Sequence, residues 1–230
     1  MAVSSAILAV AIMYWPLFVT PVAEATDWLR RARTSVLTRE AMDNYRRAVA
    51  ADPIDPIAPV EMAGWALRAA QEDPAERRAL AQTAVDAALA AVRCDPADNR
   101  TYRTLSSAYL GRYAGSGDPN DVDRAVDAIA HAVTLYPELP DLRVDYGEAL
   151  VVQATVHRHA DRFADGLDQM RHALELDDRR APDEIRRFPP SRRAAIRDRL
   201  RDLRARPLPT SGPTADRAGT TTKSATRSGQ

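Results

Sequence analysis

The sequence AVDAIAHAVTLYP at residues 125–137 decides the fold, because the same pattern recurs elsewhere in the chain. Residues 41–53 read AMDNYRRAVAADP and residues 84–96 read AVDAALAAVRCDP. Residues 166–178 read GLDQMRHALELDD, a weaker copy with Asp178 at the proline position. The prolines are 43 and 41 residues apart, and Asp178 lies 41 residues beyond Pro137. This periodicity predicts a repeat architecture, in which each unit buries its apolar face against its neighbours.

Each copy predicts the second helix of a helical pair. Small or apolar residues recur at spacings of four and three, which places them on one helical face. Alanine lets a neighbouring helix approach closely, and the proline stops the helix because it removes a backbone donor. The residues of this face are Ala41, Tyr45 and Ala48; Ala84, Ala88 and Ala91; Ala125, Ile129 and Ala132; and, in the weaker copy, Gly166, Met170 and Ala173.

The first helix of each pair is predicted upstream of its copy. The clearest spans residues 99–111, where Tyr102, Leu105, Ser106 and Tyr109 recur at helical spacing. Its equivalents are residues 25–36, 57–71 and 141–155. Start signals support these helices, since capping aspartates, most of them followed by proline, favour a helix N-terminus. The predicted caps are Asp55, Asp73, Asp98 and Asp118, with Ser191 for a helix near the C-terminus.

These residues resemble the tetratricopeptide repeat family, whose unit is a helix pair of about 34 residues. The resemblance covers residues 25–178 and is strongest over residues 99–137. It implies an all-α fold, a right-handed superhelical array of about four helix hairpins with a concave groove that binds a protein or peptide partner. The groove residues that it implies are Val60, Gly64, Leu67, Arg100, Arg103, Ser107, Leu110, Asp141, Val144, Glu148 and Val151.

The chain carries no pattern typical of an enzyme or a metal site. Its one cysteine, Cys94, excludes an internal disulfide. The histidines, which are His131, His157, His159 and His172, do not show metal-ligand spacing, and there is no glycine-rich phosphate loop. We therefore expect no catalytic residue, no metal ligand and no cofactor, and we expect that the chain is not an enzyme.

Charge is distributed unevenly along the chain. Residues 1–178 hold 18 Arg and 27 acidic residues, a net charge of −9, whereas residues 179–230 hold 14 basic and 5 acidic residues. Residues 179–206 are predicted to contain a capping helix with Ile196, Leu200 and Leu203 on its apolar stripe. Their arginines also permit contact with anionic lipid. No nucleic-acid partner is expected, because no aromatic platform accompanies the charge. Residues 207–230 are predicted to be a disordered tail.

The N-terminal segment has no charged side chain before Glu24, and residues 3–22 are mostly apolar. Twenty apolar residues are long enough for a transmembrane helix, which we predict over residues 1–24. A cleaved signal peptide is an alternative, because residues 23–25 have the small-x-small form of a cleavage site. A buried helix is another. The arginines that follow, Arg30, Arg31, Arg33 and Arg39, favour a cytoplasmic repeat domain at a bacterial inner membrane.

The layout of apolar segment, repeats and basic helix is similar to the C-terminal region of O-antigen ligase and polymerase-like bacterial membrane proteins. That resemblance carries no catalytic motif, because the chemistry of those proteins lies in membrane helices and loops that are not in this sequence. The predicted function is a membrane-anchored protein-interaction module. Alternatives are the C-terminal part of an O-antigen ligase-like glycan-transfer protein and a secreted or periplasmic soluble adaptor.

Overall fold

The structure, a computed structural model, describes residues 19–35, 38–181, 184–185 and 187–206. Over these residues the chain forms nine α-helices and no β-strand. The helices are α1 Thr20–Thr34, α2 Thr38–Ala51, α3 Ile57–Glu72, α4 Arg77–Cys94, α5 Asn99–Ser116, α6 Pro119–Leu135, α7 Pro140–His157, α8 Ala160–Asp178 and α9 Pro190–Ala205.

The first eight helices form four consecutive hairpins, which are α1–α2, α3–α4, α5–α6 and α7–α8. The second helix of each hairpin packs on the first helix of the next, and the first helices α3, α5 and α7 also contact one another in turn. The remaining helix, α9, packs on α8. The prediction of an all-α array of about four helix hairpins is therefore confirmed.

The repeated small residues form the contacts that hold the stack together. All eight alanines of the repeated face are completely buried: Ala41, Ala48, Ala84, Ala88, Ala91, Ala125, Ala132 and Ala173. Tyr45, Ile129 and Met170, at the middle position of the pattern, are also buried. Because an alanine keeps the backbones of neighbouring helices close, apolar side chains on both sides of it can reach each other and pack densely.

The prolines of the pattern end their helices at a constant place. Helices α2, α4 and α6 each stop two residues before Pro53, Pro96 and Pro137 respectively. The residue before a proline is pushed out of the helical region, so the helix cannot continue to it. Helix α8 has no such proline and runs on to Asp178, the proline position itself.

Two of the four predicted aspartate caps are confirmed, whereas Asp55 and Asp73 lie one and three residues before the actual cap positions. The carboxylates of Asp98 and Asp118 accept hydrogen bonds from the backbone N–H of Arg100 and Asn120, at 2.9 and 3.0 Å. Asp73 accepts from Ala75 and Glu76, but the residues after it form turns and α4 begins only at Arg77.

Two further boundaries were predicted incorrectly. Ser191 is not a cap, because α9 already begins at Pro190, whose fixed φ suits the first helical turn. Helix α1 likewise begins at Thr20, five residues before the predicted start, with Pro21 in its first turn.

Helix α9 covers the last hairpin at the position predicted for a capping helix. Its buried residues Ile196, Leu200 and Leu203 form one cluster with Phe163 and Met170 of α8. Just before α9, the backbone N–H of Phe188 donates a hydrogen bond of 2.7 Å to Oδ1 of the buried Asp177 carboxylate. The guanidinium of Arg193 lies 3.4 Å from Oδ2 of Asp177 and also pairs with Asp178.

No helix within the described ranges is both long and apolar enough to cross a membrane. Of the predicted transmembrane segment, residues 1–24, the first 18 lie outside the described residues. The predicted disordered tail, residues 207–230, lies entirely outside them as well.

Candidate partner-binding face

The first helices of the hairpins, α1, α3, α5 and α7, form a surface that we call the first-helix face. Each first helix turns its small buried residues towards the rest of the array, as Ala63 and Ala66 do on α3 and Ala108 does on α5. The positions between these residues lie on the first-helix face because of the helical period of 3.6. This is the surface on which the sequence predicts partner binding.

On α3 and α5 the predicted site residues are accessible to different degrees. Arg100 and Ser107 are exposed, whereas Val60, Gly64, Leu67, Arg103 and Leu110 are half-buried. The side chain of Leu67 fills the space beside Gly111 of α5 and leaves no room for a side chain there. Leu67 therefore holds α3 against α5 as well as forming part of the surface.

On α7 the predicted residues divide into an accessible pair and a covered pair. Asp141 is half-buried and Glu148 is exposed, but Val144 and Val151 are only 7% and 5% exposed. Both valines belong to the cluster that α9 closes. The sequence analysis placed them in an open groove, whereas in the structure they are buried in one cluster with side chains of α8 and α9. The accessible part of α7 is therefore its acidic stripe.

Ion pairs join successive helices across the first-helix face. Arg33 of α1 binds Glu61 of α3 through two hydrogen bonds, of 2.8 and 2.5 Å. Arg103 of α5 pairs with Asp145 of α7. Arg192 of α9 lies 2.6 Å from Asp141 of α7. Cations on α1, α5 and α9 thus alternate with carboxylates on α3 and α7. The sequence analysis missed Asp145, although its position four residues after Asp141 places both on one helical face.

The acidic stripe of α7 titrates differently from free carboxylates. Burial raises the pKa of Asp145, against the opposing effect of Arg103. The pKa of Glu148 is also raised, first by its loss of hydration among neighbouring residues and then by the charge of Asp145. The carboxylates of Asp145 and Glu148 therefore bind protons more readily than those of an ordinary aspartate or glutamate.

The remaining chemically reactive side chains have structural partners. The thiol of Cys94 donates to the backbone carbonyl of Pro53 at 3.2 Å, and burial raises its pKa, which disfavours the nucleophilic thiolate. His157 Nε2 lies 2.9 Å from Oδ1 of Asp123. His131 stacks near Tyr102, with 4.3 Å between ring centroids. In the described part of the chain, no group of three or more His, Cys, Asp or Glu residues could hold a metal ion.

Comparison with known proteins finds similarity at the level of three-dimensional structure alone. No protein-family model matches the chain, and no curated protein matches it. The chain is similar to a crystal structure of MamA, with 15% identity and a TM-score of 0.49 over 73% of this chain and 84% of that chain. It is also similar to a thermophilic TPR protein of Thermus thermophilus, with 18% identity and a TM-score of 0.40 over 80% and 96% of the two chains.

Proposed function

We propose that this chain is a protein-binding module, tethered to a membrane by its N-terminal segment, with no chemistry of its own. The observation that carries the proposal is the composition of the first-helix face. It keeps exposed or half-buried residues of mixed character, such as Val60, Arg100, Ser107, Leu110 and Glu148, whereas the repeated face of the second helices is closed. A surface of this kind suits an extended peptide or a partner helix.

The partner is expected to match two zones of this face. Between α3 and α5 the floor is aliphatic, with Val60, Leu67 and Leu110, and the exposed cation of Arg100 lies beside it. On α7 the exposed Glu148 adds a carboxylate. Because four hairpins offer a short surface and its strongest charges are already paired internally, we expect modest affinity.

Charge reversal on the first-helix face tests the proposal. Arg100→Glu combined with Ser107→Glu changes two exposed positions, and Arg103 is left alone because it pairs with Asp145. The matched control is Arg78→Glu, on the exposed side of the second helix α4. Tagged chains are recovered from detergent-solubilised membranes and the bound proteins are quantified. We expect at least one protein that is recovered with the wild type and with the control but not with the double variant. Equal recovery by all three chains would contradict the proposal.

The membrane tether is proposed from the uncharged, apolar character of residues 3–22. Membrane fractionation with N-terminal sequencing tests it, and we expect the intact chain in the membrane fraction. A soluble chain that begins at Thr26 would instead support a secreted adaptor. The arginines after the segment support a cytoplasmic repeat domain at a bacterial inner membrane. Protease accessibility in sealed, inside-out vesicles tests this orientation, because a cytoplasmic domain is then digested.

Contact with anionic lipid is proposed for the outer side of α9. Arg192 and Arg193 are paired with the repeats, whereas Arg197, Arg201 and Arg204 are exposed. Exposed arginines near a membrane attract anionic headgroups. Co-sedimentation with vesicles tests this contact: binding to vesicles that contain phosphatidylglycerol is expected, and equal binding to neutral vesicles would contradict it.

A second candidate is a role as the C-terminal region of an O-antigen ligase-like glycan-transfer protein. The observation that favours it is the layout of the chain, in which a mostly apolar segment at residues 3–22 is followed by the repeats and then by a basic helix. The adjoining genomic sequence tests this candidate. An upstream reading frame that encodes many membrane spans would support it, and an unrelated soluble protein there would favour the interaction module.

A further inference from the structure

A small aliphatic cleft opens where α3 and α5 begin. It is lined by Pro56, Ile57, Val60, Glu61, Asp98 and Arg100 and has a volume of about 130 Å³. Ile57 remains 47% exposed in it. Sites for drug-sized molecules are usually several hundred Å³, so this cleft suits a single aliphatic side chain. It forms the loop-side end of the first-helix face.

The surroundings of the cleft are acidic. Residues 52–61 and 95–100 contain five carboxylates, Asp52, Asp55, Glu61, Asp95 and Asp98, and one cation, Arg100. Arg100 is already bound to Asp98, with 2.8 Å between Nε and Oδ2, and Arg33 of α1 binds Glu61. Five carboxylates therefore face two cations here. An aliphatic side chain that enters the cleft is therefore favoured when basic residues accompany it.

The chain itself carries a side chain with these properties at its other end. Ile185, in the turn before α9, is completely exposed, which is unusual for a large aliphatic residue. Asp183 and Glu184 precede it, and Glu184 lies 3.6 Å from Arg180. Arg187 follows it closely, and residues 179–206 as a whole contain 11 Arg and four acidic residues. Ile185 thus supplies an aliphatic group within a segment of net positive charge.

Ile185 lies away from the cleft of its own chain. It follows α8, on which α9 packs, whereas the cleft lies between α3 and α5, one hairpin further away. A second molecule is therefore the source of Ile185 that we consider for the cleft.

We propose that the chain associates with itself, with Ile185 of one copy seated in the aliphatic cleft of another and Arg187 facing the carboxylates of Asp95 and Asp98. The donor and acceptor surfaces are different, so each contact is head-to-tail. The inference deepens the proposed function, since it names a second copy as one partner of the first-helix face. One side chain buries little area, so the association is weak in dilute solution and strengthens where tethering raises the local concentration.

Two substitutions test the two halves of the contact separately. Ile57→Asp places an acid at the first residue of α3, where the helix dipole favours it, so folding is retained. Ile185→Asp alters a side chain that is fully exposed. The control, Leu135→Asp, changes another exposed aliphatic residue, at the end of α6, which neither lines the cleft nor lies in the apolar N-terminal segment. Sedimentation equilibrium of the full chain in detergent micelles measures self-association, and circular dichroism verifies the fold of each variant.

The wild type and Leu135→Asp are expected to self-associate. Ile57→Asp alone and Ile185→Asp alone are each expected to self-associate at least about tenfold more weakly. High salt should weaken the wild-type association, because the contact pairs opposite charges. A monomeric wild type, unchanged association of both test variants, or an equal loss in Leu135→Asp would overturn the proposal.

Mixing the two variants provides the decisive measurement. Ile57→Asp retains an intact Ile185, and Ile185→Asp retains an intact cleft, so the mixture rebuilds one complete contact. Fluorescently labelled Ile57→Asp is expected to bind Ile185→Asp but not to bind itself, and failure of the mixture to associate would contradict the head-to-tail contact. Only the purified chain takes part in this measurement. Its failure therefore leaves partner capture through Arg100 and Ser107 unaffected, and failure of that capture leaves self-association unaffected.

Discussion

The third hairpin, α5–α6, and the fourth, α7–α8, have similar geometry but are closed by opposite means. In the third, Arg112 of α5 holds the buried carboxylate of Asp121 of α6 through hydrogen bonds of 2.9 and 2.5 Å, and it also binds Gln82 of α4. In the fourth, Gly147 and Gly166 bring the two backbones together. One hairpin depends on a charge pair and the other on the absence of side chains.

The comparison shows how a repeat keeps its structure after losing its sequence signature. The third hairpin has the aspartate caps and Pro137, whereas the fourth lacks the proline and has glycine in place of the first alanine. The fourth hairpin compensates with a closer helix contact and with α9, which supplies the packing that a following hairpin would have given. The remaining predictions alter one hairpin at a time.

The largest effect is expected from breaking the charge pair of the third hairpin. Arg112→Met leaves the carboxylate of Asp121 buried without its main partner, which should lower the free energy of unfolding by about 3–5 kcal/mol. Arg124→Met is the control, since Arg124 is more exposed and lies 3.6 Å from Asp121; a loss below about 1 kcal/mol is expected there. Urea titration measures both, and equal losses would contradict the assigned role of Arg112.

Next in size is the removal of packing beneath α9. Leu203→Ala deletes a buried side chain from the cluster that covers the fourth hairpin, and the loss should be at least about 2 kcal/mol. Because repeat arrays are stabilised by neighbour contacts, the damage should be local. Hydrogen exchange should show faster exchange of amides in α8 and α9, with those of α5 and α6 unchanged. Uniform acceleration along the chain would contradict a local role.

The glycine contact of the fourth hairpin should not accept a methyl group. In Gly166→Ala the added carbon would lie 2.8 Å from the carbonyl oxygen of Gly147 and 2.9 Å from a methyl of Val151. Overpacking of this kind should destabilise the chain by about 1–3 kcal/mol. The control is Gly64→Ala, which meets only the end of Arg68 at 3.7 Å and should gain about 0.5–1 kcal/mol from helix propensity. Thermal unfolding should shift in opposite directions for the two variants.

The turns of the two hairpins provide a further contrast. The helix-ending residue of α5 is Gly117, with φ of 71°, whereas that of α7 is Arg158, with φ of 59°. A left-handed conformation is unfavourable for a residue with a Cβ atom. Arg158→Gly should therefore stabilise the chain by up to about 1 kcal/mol, and Gly117→Ala should destabilise it by about the same amount. Urea titration measures the free energy of unfolding of both variants. If Arg158→Gly destabilises the chain, the contacts of the arginine side chain contribute more to stability than the relief of its backbone strain.

The smallest effect is expected on the acidic stripe of α7. The pKa of Glu148 is raised in the folded chain above its ordinary value of 4.5, so ionisation opposes folding once the pH exceeds the raised pKa. At pH 7 the free energy of unfolding of Glu148→Gln should therefore equal that of the wild type or exceed it by up to about 0.5 kcal/mol. The difference should vanish as the pH falls below the ordinary carboxyl range. Urea titrations at neutral and acidic pH measure it, and a gain that grows on acidification would contradict the assigned cause.

The fold was predictable from the sequence because its determinants are local. The spacing of Ala84, Ala88 and Ala91 fixes a helical face, Pro96 fixes the end of the helix, and Asp98 caps the next one. Each of these signals acts within a few residues, so the periodicity of the chain shows it without knowledge of distant contacts.

The candidate site was predictable only in part, because its accessibility depends on contacts between distant segments. Val144 and Val151 have the right helical positions for the first-helix face, but they are buried in a cluster that includes Ile196 and Leu200, about 50 residues further along the chain. The pairing of Arg103 with Asp145 and the proximity of Ile57 to Asp98 likewise depend on how neighbouring hairpins meet. Sequence spacing indicates the side of a helix on which a residue lies, and only the packed array decides what covers it.

The dipeptide Asp177-Asp178 joins the last repeat to the helix that follows it. At the place where three earlier helices are stopped by proline, α8 continues, and its last two residues bind Phe188 and Arg193. The residues that depart from the repeat pattern are thus the ones that attach α9. If a fifth hairpin were inserted after α8 by recombination, we would expect these two carboxylates to lose their partners, and the new junction would have to bind them or replace them.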